Sequence, residues 1–510
     1  MEAAREQWGT RLGFLLAAVG SAIGLGNIWR FPYVAWENGG GAFFVPYLFA
    51  LLTAGIPLLV LEYAIGHRFR GSAPLSLRRL HRRAEWVGWW QIAVCFLIAS
   101  YYAVVIAWAA AYTWFSIGTV WGDDPEAFFF EDYLAVAEVG TVGGFRAGVL
   151  WPLLAIWIVT LVVLVGGVRR GIERANRILI PLLVLMFLVI VVRAVTLDGA
   201  SIGLQALFEP DWSRIGEASV WVAAYGQIFF SLSIGFAIMI TYASYLPRDS
   251  DLSGNAFIAG FSNASFELLA GIGVFGAIGF LASSSAVGVD EVARDGIGLA
   301  FVVFPEIISQ LPGPSELFGA LFFASLVLAG VSSLISITQT YVAALQEKFS
   351  MPRRNAALLA GGGTALVSVV YATGGGIHTL DVVDRFINAF GVAAVGLVEV
   401  LVVAWLLREL GTLRAHADGV SDIRLGWWWI ASLGAVTPLI LGWMTVDNLL
   451  TERSTPYGGY PTVFLAIVGW GLAALALVVG VALSLKRWPS GVDLSPPREP
   501  AGPDEGRRTL

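Results

Sequence analysis

The sequence predicts an all-α polytopic membrane protein of about twelve transmembrane helices, on three observations. The chain is 57% hydrophobic and only 13% charged over 510 residues, with a mean hydropathy of +0.75, which excludes a large water-soluble enzyme. Apolar runs of spanning length recur along its whole length. The first run carries Gly20, Gly24, Gly26, Asn27 and Arg30 in its middle. Glycine disfavours a continuous helix, and Asn and Arg are expensive in hydrocarbon. Backbone breaks at membrane depth only where it is buried in protein or lines a wet cavity. This run therefore reads as a discontinuous helix built around a site.

Taken in order, span 1 is Leu12–Ala35, interrupted at GLGNIWRFP (Gly24–Pro32), and span 2 is Ala42–Phe69. Span 3 is Val87–Val120. Spans 4 and 5, Val149–Val168 and Ile172–Val195, are separated by a short basic turn. Span 6 is Val220–Leu246, and QIFFSLSIGF (Gln227–Phe236) clusters Ser231, Ser233 and Gly235 inside it. Spans 7 to 10 are Leu252–Ser283, Leu317–Phe349, Ala356–Ala372 and Leu380–Leu407. Spans 11 and 12 are Gly426–Leu449 and Val463–Leu485. Spans 1 and 6 are five spans apart, and interrupted helices at matching positions of two halves point to an inverted repeat with its site at the midplane. The competing reading is two unrelated glycine kinks used for helix packing.

Charge sets the orientation. Arg68, Arg70, Arg78, Arg79, Arg82 and Arg83 follow span 2, and Arg169, Arg170, Arg174 and Arg177 lie between spans 4 and 5. Arg353, Arg354, Arg408, Arg414 and Arg424 fall on the same side, opposite the acidic loop of Asp123, Asp124, Glu126, Glu131, Asp132 and Glu138. The basic side is expected to be cytoplasmic, with both termini inside and the arginines serving as topology markers. MEAAREQW shows no cleavable signal peptide. Cys95, the single cysteine, reads as buried filler. The Pro- and Gly-rich tail of residues 488–510 reads as disordered and cytoplasmic.

GLGNIWRFPY followed by NGGGAFFVPY (Asn38–Tyr47), then GQIFFSLSIGF and ITYASY (Ile240–Tyr245), resembles the neurotransmitter:sodium symporter family, and most closely its prokaryotic amino-acid branch typified by the bacterial leucine transporter. The resemblance implies a 5+5 inverted repeat with discontinuous helices 1 and 6, an architecture characteristic of this family. It places the transport core at 1–410, with repeats at about 8–196 and 217–408, and two peripheral helices within 411–487. It also implies two Na⁺ ions, which as hard cations take oxygen ligands. One would be held by the Ala22 carbonyl, Asn27, Ser231, Asn263 and the substrate carboxylate. The other would be held by the carbonyls of Gly20, Ile23 and Ala329 and the hydroxyls of Ser332 and Ser333.

The same resemblance implies a substrate carboxylate at the N–H groups of Leu25 and Gly26 and the Tyr102 hydroxyl, since a restarting helix is an anion site. The amine would meet carbonyls of Ala22, Phe230 and Ser231 and the Ser233 hydroxyl. Ile98, Tyr102, Phe230, Phe236, Ser333 and Ile337 would surround the side chain, and none is charged. Monoamine carriers of the family have an aspartate where this chain has Gly24, so the substrate is expected to bring its own carboxylate. An outer gate would pair Arg30 with Asp384. An inner gate would pair Arg5 with Glu347, supported by Trp8, Ser244, Tyr245 and Gln339. Chloride-dependent relatives carry a serine at the position of Glu267; here that carboxylate is expected to replace chloride, with proton antiport as a further hypothesis. Glu62 and Glu399, inside spans, are expected to cap free N–H groups at the broken helices.

These readings converge on a sodium-coupled symporter importing neutral hydrophobic or aliphatic amino acids by alternating access, independently of chloride, in the plasma membrane. The alternatives are an aromatic amino acid, an amine-containing osmolyte, or a non-transporting amino-acid sensor on the same scaffold. No HExxH, GxSxG or P-loop motif is present, so an enzyme is not expected. The expected partners are the amino acid and the lipid bilayer, without nucleic acid. A homodimer is compatible with this reading, the monomer being sufficient for transport. GIGVFGAIG (Gly271–Gly279) is expected to serve packing within one chain rather than between subunits.

Overall fold

The computed structural model describes residues 6–497. Among them every regular element is a helix, and the only bridges are Gly40 with Pro210 and Phe145 with Thr373. Ten helices among the described residues are long and apolar enough to cross a membrane, from Gly41–Phe69 to Thr462–Leu485. Span 1 is an eleventh, bent by 59° between Arg11–Ala22 and Leu25–Glu37. Span 6 completes the expected set as two shorter helices, Ala218–Ser231 and Ile238–Ala243, separated by six residues of irregular backbone. The chain is a multi-pass membrane protein.

The layers follow from burial. Spans 3 and 8 (Arg82–Phe115 and Ser315–Phe349) bury 78% and 72% of their most apolar stretches, whereas spans 4 and 5 (Ala147–Val165 and Val168–Val195) bury 33% each and span 12 buries 28%. Spans 3 and 8 pack on each other, and span 8 packs on both broken helices, so the breaks lie in the protein interior. Spans 4, 5 and 12 turn apolar side chains such as Ile158, Leu185 and Val478 outward, as lipid-facing helices do.

The interruption of span 1 is narrower than its glycines suggest. The helix runs unbroken through Gly20 and ends at Ala22, and it restarts at Leu25. Gly20 serves contact instead: a Cβ there would stand 2.6 Å from atoms of Asn176 and Ile180 in span 5. GIGVFGAIG likewise packs within the chain. Gly279 meets the backbone of Gly203 in a short outer helix, Ala200–Phe208, and Gly276 meets Ala194 of span 5. Sequence reading found neither that helix nor the apolar Gly296–Gln310 segment between spans 7 and 8. Both are too short to register as spans. Beyond span 12, Asp493 offers its carbonyl to Arg79 at 2.7 Å and Lys348 lies 4.3 Å from the Trp488 ring centroid. Residues 498–510 of the expected tail lie outside the described residues.

Candidate functional site

The site is built where the two breaks meet. At the first, Ile23 and Gly24 are extended. The Gly24 N–H is satisfied by Asn27 Oδ1 at 2.9 Å, and the Leu25 N–H donates to the Tyr102 hydroxyl at 3.3 Å. That leaves the Tyr102 proton available to an incoming acceptor. A Cβ on Gly24 would stand 3.1 Å from Tyr102 Oη and 3.4 Å from Ser333 Oγ, whereas one on Gly26 would meet nothing within 4 Å. Gly26 thus faces open space at the start of a helix, where N–H groups favour an anion.

At the second break Ser233, Gly235 and Ala237 all have positive φ, a conformation costly for the two non-glycine residues. Three contacts hold it. Ser233 Oγ donates to the Ser21 carbonyl at 3.0 Å, the Gly235 N–H donates to Glu62 Oε1 at 2.7 Å, and Cys95 Sγ reaches the Phe236 carbonyl at 2.9 Å. Glu62 caps the broken helix. Glu399 instead accepts from the Gln91 amide at 2.7 Å.

Two oxygen clusters flank the break in span 1. In one, Asn27 Nδ2 donates to Asn263 Oδ1 at 2.8 Å and Asn263 Nδ2 donates to Ser231 Oγ at 3.0 Å, all three side chains being buried. Ala22, also buried, ends the half-helix beside them. In the other, Ser333 Oγ lies 3.4 Å from the Gly20 carbonyl, 3.3 Å from Ser21, 3.4 Å from Ile23 and 3.2 Å from Ala329. Ser332 Oγ donates to the same Ala329 carbonyl at 2.8 Å. One hydroxyl has one proton. Four carbonyl oxygens around it are more acceptors than it can serve, and such an excess of buried oxygen suits a hard cation. The Ser333 cluster therefore fits sodium; in the other, Asn27 Oδ1 and Asn263 Oδ1 already accept from the Gly24 N–H and from Asn27 Nδ2.

Ile98, Phe236 and Ile337 are buried, and Tyr102 and Phe230 half-buried. Below them Glu267, fully buried, accepts from the Tyr47 hydroxyl and from Gln227 Nε2 at 2.6 Å.

The two ends of the molecule differ. Arg30 stacks its guanidinium 4.9 Å above the Phe230 ring centroid, and Asp384 accepts from Asn388 at 2.8 Å. No ion pair joins Arg30 to Asp384 among the described residues; the aromatic face holds the guanidinium instead. Nearby Asp381 accepts from Tyr457 and Tyr460 at 2.8 and 2.9 Å, and burial with the Asp381 charge pushes the Tyr460 phenol above its ordinary range.

The opposite end is tied shut. Trp8 donates to the Tyr242 and Tyr245 carbonyls at 2.9 and 3.1 Å. Gln339 Nε2 donates to the Tyr245 hydroxyl at 3.0 Å, and Ser244, buried, donates to the Thr241 carbonyl. Arg353, read from sequence as a topology marker, bridges Gln339 Oε1 at 2.7 Å and Glu6 at 2.6 Å. Glu347 accepts from the Ser72 N–H and hydroxyl, and its expected partner Arg5 lies outside the described residues. Sequence reading also missed Glu173, which holds the Gly9 N–H at 2.6 Å and the Thr10 hydroxyl at 3.1 Å. Its only signal was a lone carboxylate among four arginines.

Proteins similar to this chain are described as transporters. The chain is 43% identical to an uncharacterized sodium-dependent transporter of Methanocaldococcus jannaschii, over 95% of this chain and 99% of that protein. It is 29% identical to the sodium-dependent dopamine transporter of Bos taurus, over 93% of this chain and 73% of that one. The crystal structure of MhsT in complex with L-phenylalanine superposes with a TM-score of 0.73 at 33% identity, covering 87% of this chain and all of that one. Residues 5–128 and 119–490 match the family described as the sodium:neurotransmitter symporter family. With its two broken helices and paired oxygen clusters, the chain belongs to the sodium:neurotransmitter symporter family, a family of sodium-dependent membrane transporters.

Proposed function

We propose that this protein is a symporter that uses the sodium gradient to import neutral hydrophobic or aliphatic amino acids, without chloride, by alternating access. It would work in the cell membrane with both termini cytoplasmic, its first 410 residues forming the transport core. The observation that carries the reading is the crowd of four carbonyls around Ser333 Oγ.

Coupling follows from what the two clusters join. The Ser333 cluster ties span 1 to span 8, and the Asn27–Asn263–Ser231 chain ties span 1 to spans 7 and 6. Without a cation the convergent oxygens repel one another, so a bound ion holds the two halves of span 1 in register. The substrate carboxylate, set on the Leu25 and Gly26 N–H groups and the Tyr102 hydroxyl, would complete the first cluster and couple the two cargoes. Inward release requires breaking the Trp8, Tyr245, Gln339 and Arg353 contacts. The Glu6 side of the Arg353–Glu6 pair is exposed, and ion pairs open to solvent contribute only ~0–1 kcal/mol each, which suits a contact that breaks in each cycle. Glu267 supplies within the protein the negative charge that chloride would otherwise bring.

The test is uptake of a panel of labelled amino acids into proteoliposomes under an inward sodium gradient or equimolar choline. Sodium-dependent accumulation of alanine, valine, leucine or methionine supports the proposal; sodium-dependent binding without accumulation favours a sensor. A second reading, an aromatic substrate, is favoured by the L-phenylalanine in the MhsT complex. Phenylalanine outcompeting leucine in the same panel decides for it.

A further inference from the structure

The arginines in the first turns of span 5 do more than mark a side of the membrane. Arg169, Arg170, Arg174 and Arg177 converge with Glu173 on a cleft of about 500 Å³ whose far wall is Gly9 and Thr10, at the foot of span 1. Topology marking needs charge on one side but no convergence.

The cleft's charge is unbalanced. Among the described residues Glu173 is the only acidic one lining it, and both of its oxygens are engaged: Oε2 by the Gly9 N–H, and Oε1 by the Thr10 hydroxyl and by Arg177 at 2.6 Å. Arg169, Arg170 and Arg174 make no hydrogen bond or ion pair through their side chains among the described residues. The wall of span 1 comes close because position 9 has no side chain: a Cβ there would stand 2.8 Å from Arg169 Nε. Val162, Val165 and Ile178 on the adjoining helices are exposed and apolar, which sets the cleft at the boundary between lipid and water.

We propose that this cleft binds a phosphate-bearing anion, held by the guanidinium groups of Arg169, Arg170 and Arg174. Guanidinium forks match phosphate oxygens in bidentate geometry. The volume is that of a small-ligand site, and basic residues at the membrane surface attract anionic headgroups. The source is either a phospholipid headgroup or a soluble phosphate. The inference rests on the membrane fold but not on the substrate or on transport, so its test reads binding and leaves uptake aside.

The full-length protein in neutral detergent is unfolded thermally with added phosphatidylglycerol, phosphatidylcholine, or inorganic phosphate against chloride at matched ionic strength. Three proteins are compared: the native chain, Arg169→Gln/Arg174→Gln, and Arg82→Gln/Arg83→Gln, which removes equal charge from another exposed loop. The expected result is a rise of about 2 °C or more with phosphatidylglycerol in the native chain and in the loop control. The cleft variant should lose it, and salt should erode it. The same pattern with inorganic phosphate supports the site and assigns the soluble source. No rise with either anion, or equal loss in both variants, overturns the proposal.

Discussion

The Ser233 hydroxyl, in the unwound middle of span 6, donates to the Ser21 carbonyl in the first half of span 1 at 3.0 Å. Residues 212 positions apart thus join the two breaks directly. The Ser21 carbonyl is also one of the four around Ser333 Oγ, so span 8 shares the same junction. Three helices meet on one carbonyl, and displacing any of them disturbs the other two.

Ser333→Ala removes the hydroxyl at the centre of the carbonyl cluster while leaving the carbonyls in place. Losing one ligand of this kind costs about 1–3 kcal/mol, or roughly 5- to 150-fold in affinity. The sodium concentration for half-maximal uptake should rise by that factor, while thermal stability in choline stays close to native. An unchanged sodium dependence would remove Ser333 from the ion site.

Glu267 gives a prediction about chloride. Uptake by the native protein should be equal in chloride and gluconate. Glu267→Ser removes the charge but keeps a small hydroxyl beside Tyr47 and Gln227, which the carboxylate now receives. That variant should require chloride, with uptake in gluconate falling about tenfold. Chloride indifference in the variant would show that the carboxylate does not stand in for the anion.

Gly26 and Gly24 should respond differently to alanine. The new methyl at Gly26 meets nothing within 4 Å of protein, so Gly26→Ala should unfold at the native temperature yet raise the KM for the amino acid. Gly24→Ala crowds Tyr102 Oη and Ser333 Oγ at 3.1 and 3.4 Å, and should impair sodium and substrate dependence together. Equal KM for Gly26→Ala and the native chain would place the substrate elsewhere.

Glu62 supports the break in span 6 through the Gly235 N–H. Glu62→Ala leaves that buried donor unpaired and should cost about 1–3 kcal/mol. Glu62→Gln keeps an acceptor oxygen and should recover most of it. Thermal unfolding of the two variants side by side measures the difference.

The spans were legible because hydrophobic length is a strong signal, and each of the twelve expected runs overlaps an observed helix or helix pair. Residues of the candidate site could be named because short polar motifs inside apolar runs are rare. Distances between helices were not legible. Arg30 and Asp384 are plausible partners by charge, yet Phe230 takes the guanidinium. Gly20 looked like part of a break and proved to be a packing surface, because a glycine in sequence does not say whether it frees the backbone or admits a neighbour. Arg353 and Glu173 looked like members of a charge run, and only the fold shows which members of such a run turn inward to hold the foot of span 1.

Cys95 is the chain's only cysteine, buried and turned toward the Phe236 carbonyl of the unwound segment. The protein thus carries one native chemical probe in the seam between span 3 and span 6. Alkylating reagents should find it only when that seam parts, so the labelling rate becomes a clock for opening. Cysteines introduced on the exposed loops can carry dyes with little competition from a sulfhydryl that stays out of reach.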